Sequence, residues 1–114
     1  MPIEFQTYQN VTVIDIPCRL VYANAKQIKE AIFSLIDNNS NRITLNLKNT
    51  DFIDSSGLAV LVATLKRVSK HHGKVALLSP TKNARLLIEL TRLHQIFEIY
   101  EEREQVVADL NKVV

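Results

Sequence analysis

From Ile43 onward the apolar residues of this chain switch repeatedly between two periods, and that switching restricts the fold more than any other feature. Ile43, Leu45 and Leu47 alternate with polar residues, the pattern of a strand with one buried face. Leu58, Leu61, Val62, Leu65 and Val68 then recur at helical spacing. Val75-Ala-Leu-Leu78 reads as a short buried strand, Leu87, Ile88, Leu90 and Thr91 as helix, Phe97-Glu-Ile-Tyr100 as strand, and Val106, Val107 and Leu110 as a closing helix. Strands separated by helices pair in parallel through right-handed crossovers. The expected core is therefore a series of parallel βαβαβα units with helices packed on the sheet.

Two alternating runs precede this series. Ile3–Tyr8 and Val11–Ile16 flank Gln9-Asn10, which reads as an antiparallel hairpin and makes the sheet mixed. Pro17 lacks a backbone donor and closes the second run. Asn24 followed by Gln27 suggests a capping box, with Ile28, Ala31, Ile32, Leu35 and Ile36 on one face of the helix behind it. Asp37-Asn-Asn-Ser-Asn41 ends that helix with turn formers. Gly73, within a basic cluster running from Lys66 to Lys74, sits where a left-handed C-cap is expected.

With 114 residues, no internal repeat and no linker-like shift in composition, residues 1–114 are expected to form a single domain. Two glycines, Gly57 and Gly73, leave no glycine-rich loop for a nucleotide, so no cofactor is expected. The net charge of +2 does not call for a nucleic-acid partner, and the Lys66–Lys74 cluster carries no interleaved aromatic residue. There is no apolar run of about 18 residues for a membrane span and no signal-peptide pattern at the start. Cys18 is the single cysteine, so no internal disulfide can form, and a cytoplasmic location is the expectation.

The chemistry concentrates in Phe52-Ile-Asp-Ser-Ser-Gly-Leu-Ala-Val60, which links a strand end to a helix start, where open sheets of this type gather their sites. Asp54, Ser55 and Ser56 suit a helix N-terminus, but a pure cap accounts poorly for Gly57, since glycine early in a helix costs roughly 1 kcal/mol against alanine. A glycine there fits a tight turn or a close approach to the backbone. A nucleophile elbow needs Gly-x-Ser-x-Gly, and this chain has Ile53-Asp-Ser-Ser-Gly57. His71 and His72 lie near the far end of the same helix, roughly 20 Å away at about 1.5 Å per residue. Asp51 and Asp54 have no further metal ligand nearby in sequence. A serine hydrolase and a metal site are both disfavoured, and no enzymatic activity is expected. A phosphorylated serine at a helix N-terminus would leave the fold intact while altering the charge of an exposed surface, which describes a binding switch.

The loop Phe52-Ile-Asp-Ser-Ser-Gly-Leu58 resembles the phosphorylation loop of the STAS domain family, the bacterial anti-sigma-factor antagonists. Ala23-Asn-Ala25, Leu77-Leu-Ser-Pro80, Leu90-Thr-Arg-Leu93 with Ile96-Phe97, and Val106-Val-Ala-Asp-Leu110 extend the resemblance nearly end to end. It implies a partner-switching regulator. The unphosphorylated domain would bind an anti-sigma factor or GHKL-type serine kinase, which phosphorylates the serine before the glycine, and a PP2C-type phosphatase would reverse the reaction. Carried onto this sequence, that serine is Ser56, with Ser55 as its less favoured neighbour. The resemblance makes Asp54 the acid that shapes the loop and Gly57 the residue that gives the kinase room at the backbone. Leu58 joins Asp54, Ser55, Ser56 and Gly57 as the partner-binding set. Many members have a Gly-Arg-Leu-Asp-like turn before the first helix; this chain has Cys18-Arg-Leu-Val21, with Val21 in the acid's place. The alternative is a constitutive STAS scaffold subunit of a lipid-transport or other ATPase-containing complex, in which phosphorylation plays no part.

Overall fold

The computed structural model describes residues 3–112. Two strands open it, β1 (Glu4–Tyr8) and β2 (Val11–Asp15), joined at Gln9 and Asn10 and paired antiparallel with Tyr8 opposite Val11. Both turn residues have positive φ, 49° and 73°, as the tightest hairpin connections require. The chain continues through β3 (Arg19–Leu20), α1 (Tyr22–Asp37), β4 (Arg42–Asn46), β5 (Phe52–Ile53), α2 (Ser55–Lys70) and β6 (Lys74–Leu78). It ends with α3 (Lys82–Leu90), a 3-10 turn at Leu93–Gln95, β7 (Glu98–Tyr100) and α4 (Arg103–Leu110).

The main sheet has the order β1-β2-β4-β6-β7, antiparallel at the first pairing and parallel at the others. This is the expected mixed sheet, with one addition that periodicity did not reveal. β3 and β5 pair in parallel as a separate two-stranded sheet, Arg19 opposite Phe52 and Leu20 opposite Ile53. Two residues are too few for a period to register, so Ser55 follows this short strand rather than β4.

Helices cover both faces of the main sheet. Ile14, Ile43, Leu45, Val75 and Leu77 point to one face, where they pack against Ile32 and Ile36 of α1, Leu61 and Val68 of α2, and Ile88 of α3. Val11, Val13, Ala76 and Leu78 point to the other, covered by Val106, Val107 and Leu110 of α4. The one-sided burial expected for Ile43–Leu47 is therefore corrected: Thr44 and Asn46 are buried as well, because α4 closes the second face.

The caps of α1 and α2 also differ from expectation. Asn24 is not the N-cap of α1; Val21 is, and valine has no side-chain acceptor. Asn24 occupies the third helical position, where its Oδ1 accepts from the Val21 N–H at 2.9 Å. Only the backward half of a capping box therefore exists. After α2, His72 takes the left-handed conformation at φ 57°, and Gly73 has no positive φ. Gly73 is small for a different reason: a Cβ there would lie 2.2 Å from the Asn41 carbonyl oxygen. No helix among the described residues is long and apolar enough to cross a membrane.

Candidate functional site

The site begins at buried Thr50, which had carried no signal in the sequence. Its hydroxyl donates to the carbonyls of Ile16 and Pro17 at 3.2 and 3.0 Å, while its own carbonyl accepts from the Thr81 hydroxyl at 2.7 Å. Through its hydroxyl and its carbonyl, this one residue ties together the loops leaving β2, β4 and β6. Thr81 also caps α3, accepting from the Ala84 N–H at 3.1 Å. A threonine after Pro80 and before an apolar helix is a readable cap signal; Thr50 in a polar loop is not.

Beyond Thr50, β5 lies against β3, and the Asp54 N–H donates to the Leu20 carbonyl at 3.3 Å. The same carbonyl fixes Gly57. A Cβ on Gly57 would fall 2.2 Å from Leu20 O and 2.8 Å from the Ile53 side chain. The close approach anticipated at this glycine is thus made by the chain's own backbone. Gly57 is buried, and the absence of its Cβ lets α2 seat on β3.

Asp54 is the N-cap of α2. Its Oδ1 accepts from the Gly57 N–H at 3.0 Å, and its Oδ2 accepts from the Tyr22 N–H, the first residue of α1, also at 3.0 Å. A single carboxylate therefore caps two helices. The amides of Tyr22 and Gly57, helped by that of Ser56, hold its pKa below the ordinary carboxylate range against a smaller opposing effect of burial. Val21, without an acceptor of its own, needs this service from a distant residue.

Ser55 and Ser56 occupy the first turn of α2 and face different ways. Ser55 is exposed on the outer side, whereas Ser56 is half-buried and turns toward α1. Ser56 opens into a groove of about 620 Å³ between α1 and α2, shared with Tyr22, Lys26, Lys29, Ala59 and Ala63. Leu58 is half-buried and packs on the main core, so only part of it is presented to solvent. Beside the loop, the Arg19 guanidinium stacks on half-exposed Phe52, 4.8 Å from the ring centre.

The remaining acids and histidines lie elsewhere. Asp51 is exposed, and its N–H donates to the Cys18 carbonyl at 2.8 Å. His71 pairs with Asp37 at 3.2 Å, next to the Arg67–Asp37 ion pair at 2.6 Å, at the far end of the α1–α2 pair. His94 sits in the 3-10 turn and makes no hydrogen bond to the loop among the described residues. The basic cluster after Lys66 is in part a helix-end tether: Arg67 both pairs with Asp37 and covers the Phe33 ring at 4.7 Å.

Residues 2–106 match the STAS domain. The chain belongs to that family. A Thermotoga maritima protein named "Putative anti-sigma factor antagonist" is 31% identical over 90 residues, covering 78% of this chain and 80% of the relative. The anti-sigma F factor antagonist of Paenibacillus polymyxa is 24% identical over 114 residues, 99% of this chain and 97% of its own length. Among solved structures, that of a Thermotoga maritima protein described as a "putative anti-sigma factor antagonist" superposes with a TM-score of 0.89 at 28% identity, covering 96% of this STAS chain and 95% of its own. The Asp54 double cap and the Gly57–Leu20 contact are thus the local build of a STAS loop in this sequence.

Proposed function

We propose that this STAS domain is a phosphorylation-controlled partner switch of the anti-sigma-factor-antagonist type. Unphosphorylated, it binds an anti-sigma factor or GHKL-type serine kinase; phosphorylated on Ser56, it releases that partner, and a PP2C-type phosphatase restores the binding form. The observation that carries this reading is that Ser56 lines an open groove between α1 and α2, on a helix start held by Asp54 from two sides. The names of its relatives support the same reading.

The chemistry asked of the domain is that of a substrate. Ser56 Oγ attacks the γ-phosphorus of a nucleoside triphosphate held by the kinase, the bond to the diphosphate leaving group breaks, and the hydroxyl proton passes to a base on the kinase. The product carries about −1.5 to −2 charges at the N-terminus of α2, where the helix dipole favours an anion. The fold survives and the exposed surface changes. Asp54, Ser55 and the accessible part of Leu58 border the contact, and Gly57 contributes from beneath by fixing the position of α2.

Co-purification from the native cell followed by phosphosite mapping tests the proposal. The expected result is a kinase-like partner bound to the unmodified form and a phosphate on Ser56 in the unbound form. Ser56→Ala should bind constitutively and Ser56→Asp weakly, both with native circular dichroism. Equal binding by both variants, with no phosphorylated fraction, would instead identify a constitutive scaffold subunit.

A further inference from the structure

The groove that holds Ser56 also holds two cations with no assigned work. Lys26 and Lys29 line it from α1, facing Ser56, Ala59 and Ala63 of α2. The small side chains on α2 keep the space open and bring nothing charged into it. Neither lysine belongs to an ion pair among the described residues. The nearest carboxylate on the Ser56 turn is Asp54, and both of its oxygens already accept amide hydrogens. Glu30 and Lys66, on the same two helices, are exposed and do not line the groove, and Tyr22 at its rim is 82% exposed.

We infer that Lys26 and Lys29 are the counter-charges of a phosphate on Ser56, which they receive within the same chain. The inference rests on the reading of Ser56 as the modified residue and deepens it. Two ammonium groups give the unmodified groove a local charge of about +2, and a phosphoserine of about −1.5 to −2 brings that to roughly zero. Phosphorylation then acts mainly by withdrawing a cationic surface from the partner, and less by presenting a new anionic one. The corresponding partner surface is acidic. Lysine suits this role, since its flexible stem lets a point charge follow a phosphate that is present only part of the time.

The test needs neither kinase nor partner. Phosphoserine is installed at position 56 during translation, and its second ionisation is followed by phosphorus-31 NMR as a function of pH. The comparison is between the otherwise native chain, the Lys26→Met/Lys29→Met double variant and the Lys26→Arg/Lys29→Arg double variant. The helix N-terminus and Asp54 act equally in all three, so any difference belongs to the two side chains. The Met variant is expected to titrate higher than the native chain by about 0.5 to 1 unit at low salt, since a nearby cation favours the dianion. The gap should shrink at high salt, and the Arg variant should match the native chain. Amide spectra establish that each variant is folded, and the single Met variants serve if the double one is not. One common pKa for all three, independent of salt, would overturn the inference and leave the switch at Ser56 standing. A failure to find Ser56 phosphorylated in cells would remove the switch without changing this titration.

Discussion

The Asp54 carboxylate accepts a hydrogen bond from the backbone N–H of Tyr22, 32 residues earlier, at 3.0 Å. With the matching bond from Gly57, it fastens the starts of α1 and α2 to one another. The two helices then run side by side to a second fastening, where Arg67 and His71 of the α2 end meet Asp37 of the α1 end. The Ser56 groove lies along this pair, so its shape depends on both ends.

Replacing Asp54 with Asn should lower the melting temperature and change its dependence on pH. The folded pKa of Asp54 is depressed, so its contribution is present above the unfolded carboxylate pKa and is lost as pH falls through the folded one. Asp37 and Asp109 are shifted in the same direction, by Arg67 and Tyr100 respectively, so the native protein should lose stability progressively below about pH 5. Thermal unfolding followed by circular dichroism from neutral to acid pH should give Asp54→Asn a flatter acid limb than the native chain. An unchanged limb would mean that the ionised state of Asp54 contributes nothing to stability.

Gly57→Ala is expected to destabilise the fold by about 1–3 kcal/mol, the range for overpacking a filled site. The obstacle is the Leu20 carbonyl oxygen at 2.2 Å, a backbone atom that moves only if β3 or α2 moves. Urea denaturation measures the loss. A substitution without cost would show that α2 can back away from β3, and with it that the Ser56 turn is not held firmly.

The end of α2 supplies an opposite pair. His72 has φ 57°, so His72→Gly relieves a left-handed side chain and should stabilise by about 0.5–1 kcal/mol after glycine's own entropic penalty. Gly73→Ala should destabilise, since its Cβ would meet the Asn41 carbonyl oxygen at 2.2 Å. Denaturation of the two variants side by side separates conformation from space as the reason for glycine at this turn. If Gly73→Ala were the benign member, the close approach of the two loops would be disproved.

On the opposite face, Tyr100 donates to Asp109 at 2.9 Å. Burial first, then the Asp109 carboxylate, push the Tyr100 pKa up from 10.0 to about 12. Its folded pKa is raised, so the stabilisation is complete below the unfolded value and declines as pH rises from 10.0 toward about 12. Tyr100→Phe should remove that part of the alkaline decline while leaving the Ser56 loop untouched. Spectrophotometric titration of the native protein gives the same pKa independently.

The elements that could be read from the sequence are those with several residues of one period. Ile43–Leu47 and the Leu58–Val68 face declare themselves because burial repeats along them. The second buried face of β4 escaped notice because Thr44 and Asn46 are polar; Asn46 is satisfied by Asp15 at 2.9 Å, a partner no local pattern reveals. β3 and β5 are defined by pairing alone. At the site, Asp54 as a cap was legible from local chemistry, but its second acceptor bond joins residues from different elements. Gly57 advertised that something comes close and could not say what. Lys26 and Lys29 carry no local signal, and only the packing of α2 beside α1 gathers them with Ser56.

The demands on Asp54 and Gly57 come from inside the molecule, from two helix starts and one carbonyl oxygen. Ser56 answers to no such demand, since its side chain makes no hydrogen bond to the rest of the described protein. Acid and glycine three residues apart are therefore the mark of a shape, to be kept by any descendant that keeps the fold. Of the two hydroxyls between them, that of Ser56 takes no part in holding this shape, so a chain can lose it and keep the fold. A survey that counts only the acid and the glycine therefore counts folds.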